Sequence, residues 1–221
     1  MKILFLDTSS SFLYCGLVDD SNLIFEVKRL LGRDMSKYTL STIEEKFNEF
    51  KISTDSVNKI ILVNGPGSFT GIRIGATIAK TFAWAKNIPI STITSLEAMA
   101  LSSKSNWDLL VPIIDARRGF VFSQIFDNKF NEISKPRYIN LNILKDEANA
   151  HNVSISYISN DSFEFEVESY EPNILKIVKY FRDKEIVSPH SIDAFYLKLT
   201  EAEEKANVSW FDCGKYCKFF F

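Results

Sequence analysis

Residues 1–30 read MKILFLDTSSSFLYCGLVDDSNLIFEVKRL, and the order of elements in this stretch decides the fold class. Ile3-Leu4-Phe5-Leu6 is a continuous apolar run, as in a strand buried on both faces, and it is broken by the short polar side chains of Asp7-Thr8-Ser9-Ser10-Ser11. Phe12 to Val18 reads as a second strand, Asp19-Asp20-Ser21-Asn22 as a polar turn, and Leu23 to Leu30 as a third strand. Three strands thus precede any helix, and the chain opens as an antiparallel meander.

Beyond the meander, Leu40, Ile43, Phe47 and Phe50 step by three and four, which predicts a helix over Ser36–Phe50. Asp55 is expected to cap a short turn before a strand at Ile60-Ile61-Leu62-Val63. A glycine-rich loop, Asn64 to Gly71, leads into a helix over Ile72–Lys86, made slim by Ala76, Ala79, Ala83 and Ala85. After Pro89 comes a β-branched strand, Ile90 to Thr94, then Ser95 as the expected cap of a helix over Leu96–Leu101. The second half starts afresh: a strand over Leu109–Asp115, a turn at Arg117-Arg118-Gly119, and a strand over Phe120–Phe126. A strand near Tyr138, a helix over Leu141–Ala150, a strand over Val153–Ile158 and an amphipathic helix on Ile174, Ile177, Val178 and Phe181 follow. Tyr196 to Ala206 is charged and helix-like, and the stretch from Phe211 onward has no readable period. This predicts an α/β layer structure in two lobes, 1–100 and a smaller 101–206, with a tail at 207–221.

Composition narrows the function classes. The 221 residues are 46% hydrophobic and 24% charged with only 8 Gly and 6 Pro, enough apolar mass to outweigh chain entropy, so disorder and collagen-like order are excluded. Lys plus Arg (26) nearly cancels Asp plus Glu (28), leaving no global positive field of the kind a stand-alone nucleic-acid binder uses. Cys15, Cys213 and Cys217 form no disulfide framework, the N-terminus lacks a signal-peptide core, and no apolar run approaches the roughly 20 residues of a membrane helix. A soluble protein of a reducing cytoplasm is expected.

The most distinctive motif is Gly65-Pro-Gly-Ser-Phe-Thr-Gly-Ile-Arg-Ile-Gly75, set between a predicted strand and a predicted helix. Amides exposed at such a helix start can hold an anion. The plainer alternative is a tight turn whose glycines allow backbone shapes barred to other residues. It is neither a P-loop nor a dinucleotide fingerprint. Arg73 stands in the first helical turn, against the dipole, so a carboxylate, a phosphate or plain solvent is its expected companion. Asp7 with Thr8 and Ser9 could hold a hydrated metal and nucleotide phosphates, or simply cap a turn. Only His151 and His190 exist, without metal-ligand spacing, and Ser68 lies in no nucleophile elbow. The two long helices carry more apolar surface than one core needs. Leu40, Ile43 and Phe47 on one, and Ile72, Ala76, Ala79 and Ala83 on the other, would form a four-helix contact across a two-fold axis, with Ile78, Phe82 and Ala85 turned inward.

Met1-Lys-Ile-Leu-Phe-Leu-Asp-Thr-Ser, Asn64 through Gly75, Ile114-Asp-Ala-Arg-Arg-Gly119, and Phe195-Tyr-Leu-Lys198 with Glu201-Ala-Glu203 resemble the bacterial TsaB (YeaZ) family. The resemblance implies an actin/Hsp70/sugar-kinase-like fold of two ribonuclease-H-like lobes, the second reduced. It implies a non-catalytic subunit in making the threonylcarbamoyladenosine of tRNA. Such a subunit needs no cofactor or metal, pairs with the catalytic paralogue TsaD and the ATPase TsaE, and meets tRNA only through the complex. It also implies partner contacts through Leu40, Ile43, Phe47, Ile72, Arg73, Ala76, Ala79, Lys80 and Ala83, and a homodimer when the chain is alone. Relatives often have histidine where Met35 and Ser36 stand here. The rival from the enzyme class is an ATPase or phosphotransferase contacting nucleotide through Asp7, Thr8, Gly67, Ser68, Thr70 and Gly71. A peptidase and a direct tRNA binder find less support in the residues.

Overall fold

The computed structural model describes residues 1–104, 106–184 and 188–198. The opening meander is present as β1 (Lys2–Asp7), β2 (Phe12–Asp19) and β3 (Asn22–Leu30), paired antiparallel. After α1 (Met35–Glu49), β4 (Val57–Val63) joins the free side of β1 in parallel; after α2 (Phe69–Lys86), β5 (Ile90–Ile93) joins β4 in parallel, and α3 (Ser95–Ser102) follows. The sheet order is therefore β3-β2-β1-β4-β5. Successive side chains of β1 point to opposite faces, and both faces are covered. Leu4 and Leu6 pack with α1 and α2, whereas Ile3 and Phe5 pack with α3. That double burial is why the first strand reads as an unbroken apolar run.

The second half repeats the plan. β6 (Leu109–Asp115), β7 (Phe120–Ser123), β8 (Phe126–Asp127), β9 (Arg137–Asn140), α4 (Leu141–Asn149), β10 (Ile155–Ser159), β11 (Glu168–Ser169) and α5 (Ile174–Phe181) follow in order. Read from β9, the sheet runs β9-β7-β6-β10-β11, with β8 paired aside on β6. Its two antiparallel and two parallel pairings match those of the first sheet. The chain is thus an actin/Hsp70/sugar-kinase-like duplication of a ribonuclease-H-like sheet. The copy is reduced, since β11 has two residues and no helix lies between β10 and β11. α5 returns to the first sheet and packs beside α3 through Ile174, Ile177, Val178 and Phe181. There the buried Lys59 of β4 donates from Nζ to the carbonyls of Phe181 (3.3 Å), Arg182 (2.7 Å) and Lys184 (3.4 Å), capping the end of α5.

Several local expectations are corrected. Ser53, not Asp55, caps the turn at Thr54–Ser56, because its hydroxyl accepts from the Asp55 amide at 3.2 Å; the Asp55 carboxylate pairs with Lys86 instead. Thr94, not Ser95, caps α3 in a capping box with Glu97. The run Phe120–Phe126 divides into β7 and β8, and β11 carries no periodic signal in two residues. Tyr196–Lys198 is not helical, while the rest of the expected helix to Ala206, Glu201, Glu203, Cys213, Cys217 and the tail 207–221 lie outside the described residues. Among the described residues no helix is long and apolar enough to cross a membrane.

Candidate functional site

Two concave features flank the start of α2. The larger is a cleft of about 810 Å³ between the two halves, bordered by Ser9 to Phe12, Gly67 to Gly71, Asp115 to Arg117, Asp161 and Tyr170. The smaller is a crevice of about 290 Å³ between α1 and α2.

At the cleft, the glycine loop is closed by the chain itself. Ser68 caps α2, its hydroxyl accepting from the Gly71 amide at 3.2 Å, and its own amide donates to the Ser9 carbonyl at 2.7 Å. A Cβ on Gly67 would lie 2.2 Å from the Ser9 carbonyl oxygen, and one on Gly71 would lie 2.0 Å from that of Thr8, so these glycines permit the β1–β2 turn to seat against α2. Thr8 donates its hydroxyl to the Gly71 carbonyl at 2.7 Å. Asp7 is buried beneath this contact; its carboxylate accepts from the Ser9 amide (2.8 Å) and hydroxyl (2.7 Å). Burial pushes that carboxyl above its ordinary range, against the pull of the Ser9 hydrogen bonds. The structure therefore brings Asp7, Thr8, Gly67, Ser68, Thr70 and Gly71 together. Yet Asp7 and Thr8 do not border the cleft, and the plainer reading of the glycines accounts for Gly67 and Gly71. No three of the described His, Cys, Asp and Glu residues are grouped so as to hold a metal ion.

Arg73 has neither of the anionic companions expected of it. Its guanidinium lies 3.7 Å from the centre of the Phe69 ring, and Nε donates to the Tyr196 hydroxyl at 2.9 Å. A cation over an aromatic face offsets its unfavourable place in the first turn. Tyr196 comes from the far end of the described chain, which is why no local pattern announces the contact.

The faces of α2 are the reverse of the expected ones. Ile72, Ala76, Ala79 and Ala83 are buried against the first sheet, Ala79 at 1% exposure and Ala83 at 0%. Ile78 and Phe82 are half-buried, and Ala85 is exposed. Both stripes are apolar at helical spacing, and the small one turns inward because it lets the helix approach the sheet closely. What remains between α1 and α2 is the crevice. Leu40, Ile43 and Phe47 form one wall, Ile78, Ala79 and Phe82 the other, over a floor of Leu4, Leu6 and Ile60. Ile43 and Phe47 are buried, but Leu40 on the rim is 59% exposed. Of the expected contact residues, Leu40, Ile43, Phe47 and Ala79 line the crevice, whereas Ile72, Arg73, Ala76, Lys80 and Ala83 do not. Ile78 and Phe82 were the missed walls; their i, i+4 spacing was visible, but not the direction in which it points.

Comparison with known proteins adds lineage to this geometry. The family model described as "TsaD: tRNA N6-adenosine threonylcarbamoyltransferase" matches residues 29–168, more than half of the chain. The tRNA threonylcarbamoyladenosine biosynthesis protein TsaB of Bacillus subtilis is 29% identical over 223 residues, covering 93% of this chain and 97% of its own. The protein of the same name from Haemophilus influenzae is 32% identical over 132 residues, 58% of this chain and 56% of its own. A Pseudomonas aeruginosa structure described as similar to peptidase YEAZ superposes with a TM-score of 0.77 at 17% identity, covering 89% of this chain and 99% of that one; this likeness is one of fold.

Proposed function

This chain belongs to the TsaB (YeaZ) family, and from that premise we propose that it is a non-catalytic scaffold in the biosynthesis of threonylcarbamoyladenosine in tRNA. Its partner is a TsaD-type paralogue, the transferase whose family model it matches, and it docks through the α1–α2 crevice. The observation that carries this reading is the crevice itself: an almost wholly apolar trough, with Leu40 exposed on its rim and Phe82 half-buried opposite. Exposed apolar surface of this kind marks a protein contact. The internal use of Thr8, Ser68 and Gly71, with Asp7 sealed below, supports a scaffold over an ATPase, since the groups such chemistry would need are occupied. We extend the proposal to a TsaE-type ATPase joining the pair, to self-association through the same crevice when the partner is absent, to a cytoplasmic site of action, and to lobes meeting near residue 100.

The burial pattern changes which substitutions test docking. A glutamate at Ala79 or Ala83 would put an unpaired charge in this chain's own core and unfold it. Leu40→Glu and Phe82→Glu place the charge on the rim, and are expected to abolish co-purification with the paralogue while leaving the thermal midpoint within a few degrees. Undiminished association of both folded variants would remove the crevice as the docking site. Leu40→Glu should also turn a self-associated chain into a monomer in sedimentation velocity.

A further inference from the structure

The outer face of β7 and β9 carries aromatic rings where a solvent-facing sheet normally carries polar side chains. Val121 and Ser123 of β7 are buried, Val121 in the core that α4 covers, while Phe120 and Phe122 stand half-exposed on the opposite face beside Tyr138 of β9. The rings of Phe120 and Tyr138 stack at 4.7 Å with 12° between planes, and Phe122 lies 5.8 Å from Tyr138. From Phe122 the surface continues into a hollow of about 250 Å³ that also includes Phe69, Tyr196 and Lys198. Cations interleave these rings. Lys198 Nζ lies 5.0 Å from the centre of Tyr138, Arg73 stacks on Phe69, and the turn leading into β7 holds Arg117 and Arg118 in left-handed conformations with φ of 69° and 56°. The flanking carboxylates are engaged: Asp115 accepts from the Arg117 amide at 2.9 Å, and Glu147 pairs with Arg137.

We propose that this band, which shares no lining residue with the α1–α2 crevice, is a landing surface for a single-stranded segment of RNA. Bases stack on Phe120, Phe122 and Tyr138, and phosphates meet Arg117, Arg118, Lys198 and Arg73. Rings beside cations suit a single strand, whose bases have free faces; a duplex keeps its faces stacked and offers none. The chain's net charge of −2 does not oppose this, because binding follows the local field of a concentrated patch. The scaffold reading enters only in the choice of RNA over DNA.

The test is fluorescence anisotropy with the full chain, using a labelled 12-nucleotide single-stranded RNA and a duplex of the same length. At about 50 mM salt the single strand should bind with a Kd on the order of 10–100 μM, the duplex more weakly. Tyr138→Ala should weaken the single strand about ten-fold. Because a half-buried ring can also serve stability, the doubly substituted Lys198→Ser, Arg118→Ser chain is read beside it; its log–log salt slope should fall by about 1.4, roughly 0.7 for each phosphate no longer neutralised. Absence of salt-dependent binding, equal binding of duplex, or indifference of both variants overturns the proposal. Retained capture of the paralogue by these variants shows that such a failure belongs to this band and not to the docking crevice.

Discussion

Asp7 ends β1 with its carboxylate enclosed by Ser9 and, at 3.5 Å, the hydroxyl of Tyr170, itself buried. Burial raises the carboxyl above its ordinary value of 3.8, and burial together with the nearby Asp7 charge raises the Tyr170 phenol well above 10.0. A raised carboxyl takes up its proton more readily in the folded chain than in the unfolded one. The ionised form therefore costs stability at neutral pH, and the cost is relieved as pH falls through the raised value. Asp7→Asn keeps an acceptor for Ser9 and removes the charge. It is expected to melt a few degrees higher than the parent at pH 7.5, the gain shrinking as pH falls toward 4. Thermal melts across that range check it, and a variant less stable than the parent at every pH would contradict this account of Asp7. The same burial principle acts on Cys15, whose thiol is pushed up to about 12 and behaves as an apolar core residue.

At the scale of the element, helix starts show what local pattern can decide. Thr94 and Ser95 are both good caps by type. The chain places Thr94 in extended conformation at the end of β5, where its hydroxyl accepts from the Glu97 amide and Glu97 returns the bond; the buried Ser95 hydroxyl has no partner among the described residues. Thr94→Ala should cost about 1 kcal/mol of stability in urea titration. Ser95→Ala should be neutral or slightly stabilising, since it removes a desolvated hydroxyl. If the two effects came out in the opposite order, the cap assignment would be wrong. In α2 the same limit takes another form. Periodicity announced two apolar stripes, and only contact with Leu6, Leu62 and the rest of the first sheet chose the alanine stripe for the core.

Across the whole molecule, the second half is tied to the first sheet through α5 and its lysine cap. Lys59→Ala leaves the carbonyls of Phe181, Arg182 and Lys184 without this donor. It should cost about 1–3 kcal/mol, read as a lower urea midpoint, with faster amide exchange in α5 than in β1. Equal exchange in α5 of variant and parent would show that the cap does not hold the helix. Strand order, helix positions and the duplication were legible from residues 1–30 and from the restart at Leu109, because double burial and helical spacing write themselves into local apolar periods. The identity of Arg73's companions, the inward face of α2 and the aromatic band were not. Each depends on residues far apart in the chain, such as Tyr196 over Phe69 or Lys198 over Tyr138, meeting where the two halves close. Local sequence determines which surfaces are apolar or charged; only tertiary packing decides which are consumed inside and which remain to meet another molecule, because burial is a property of the neighbours and not of the residue.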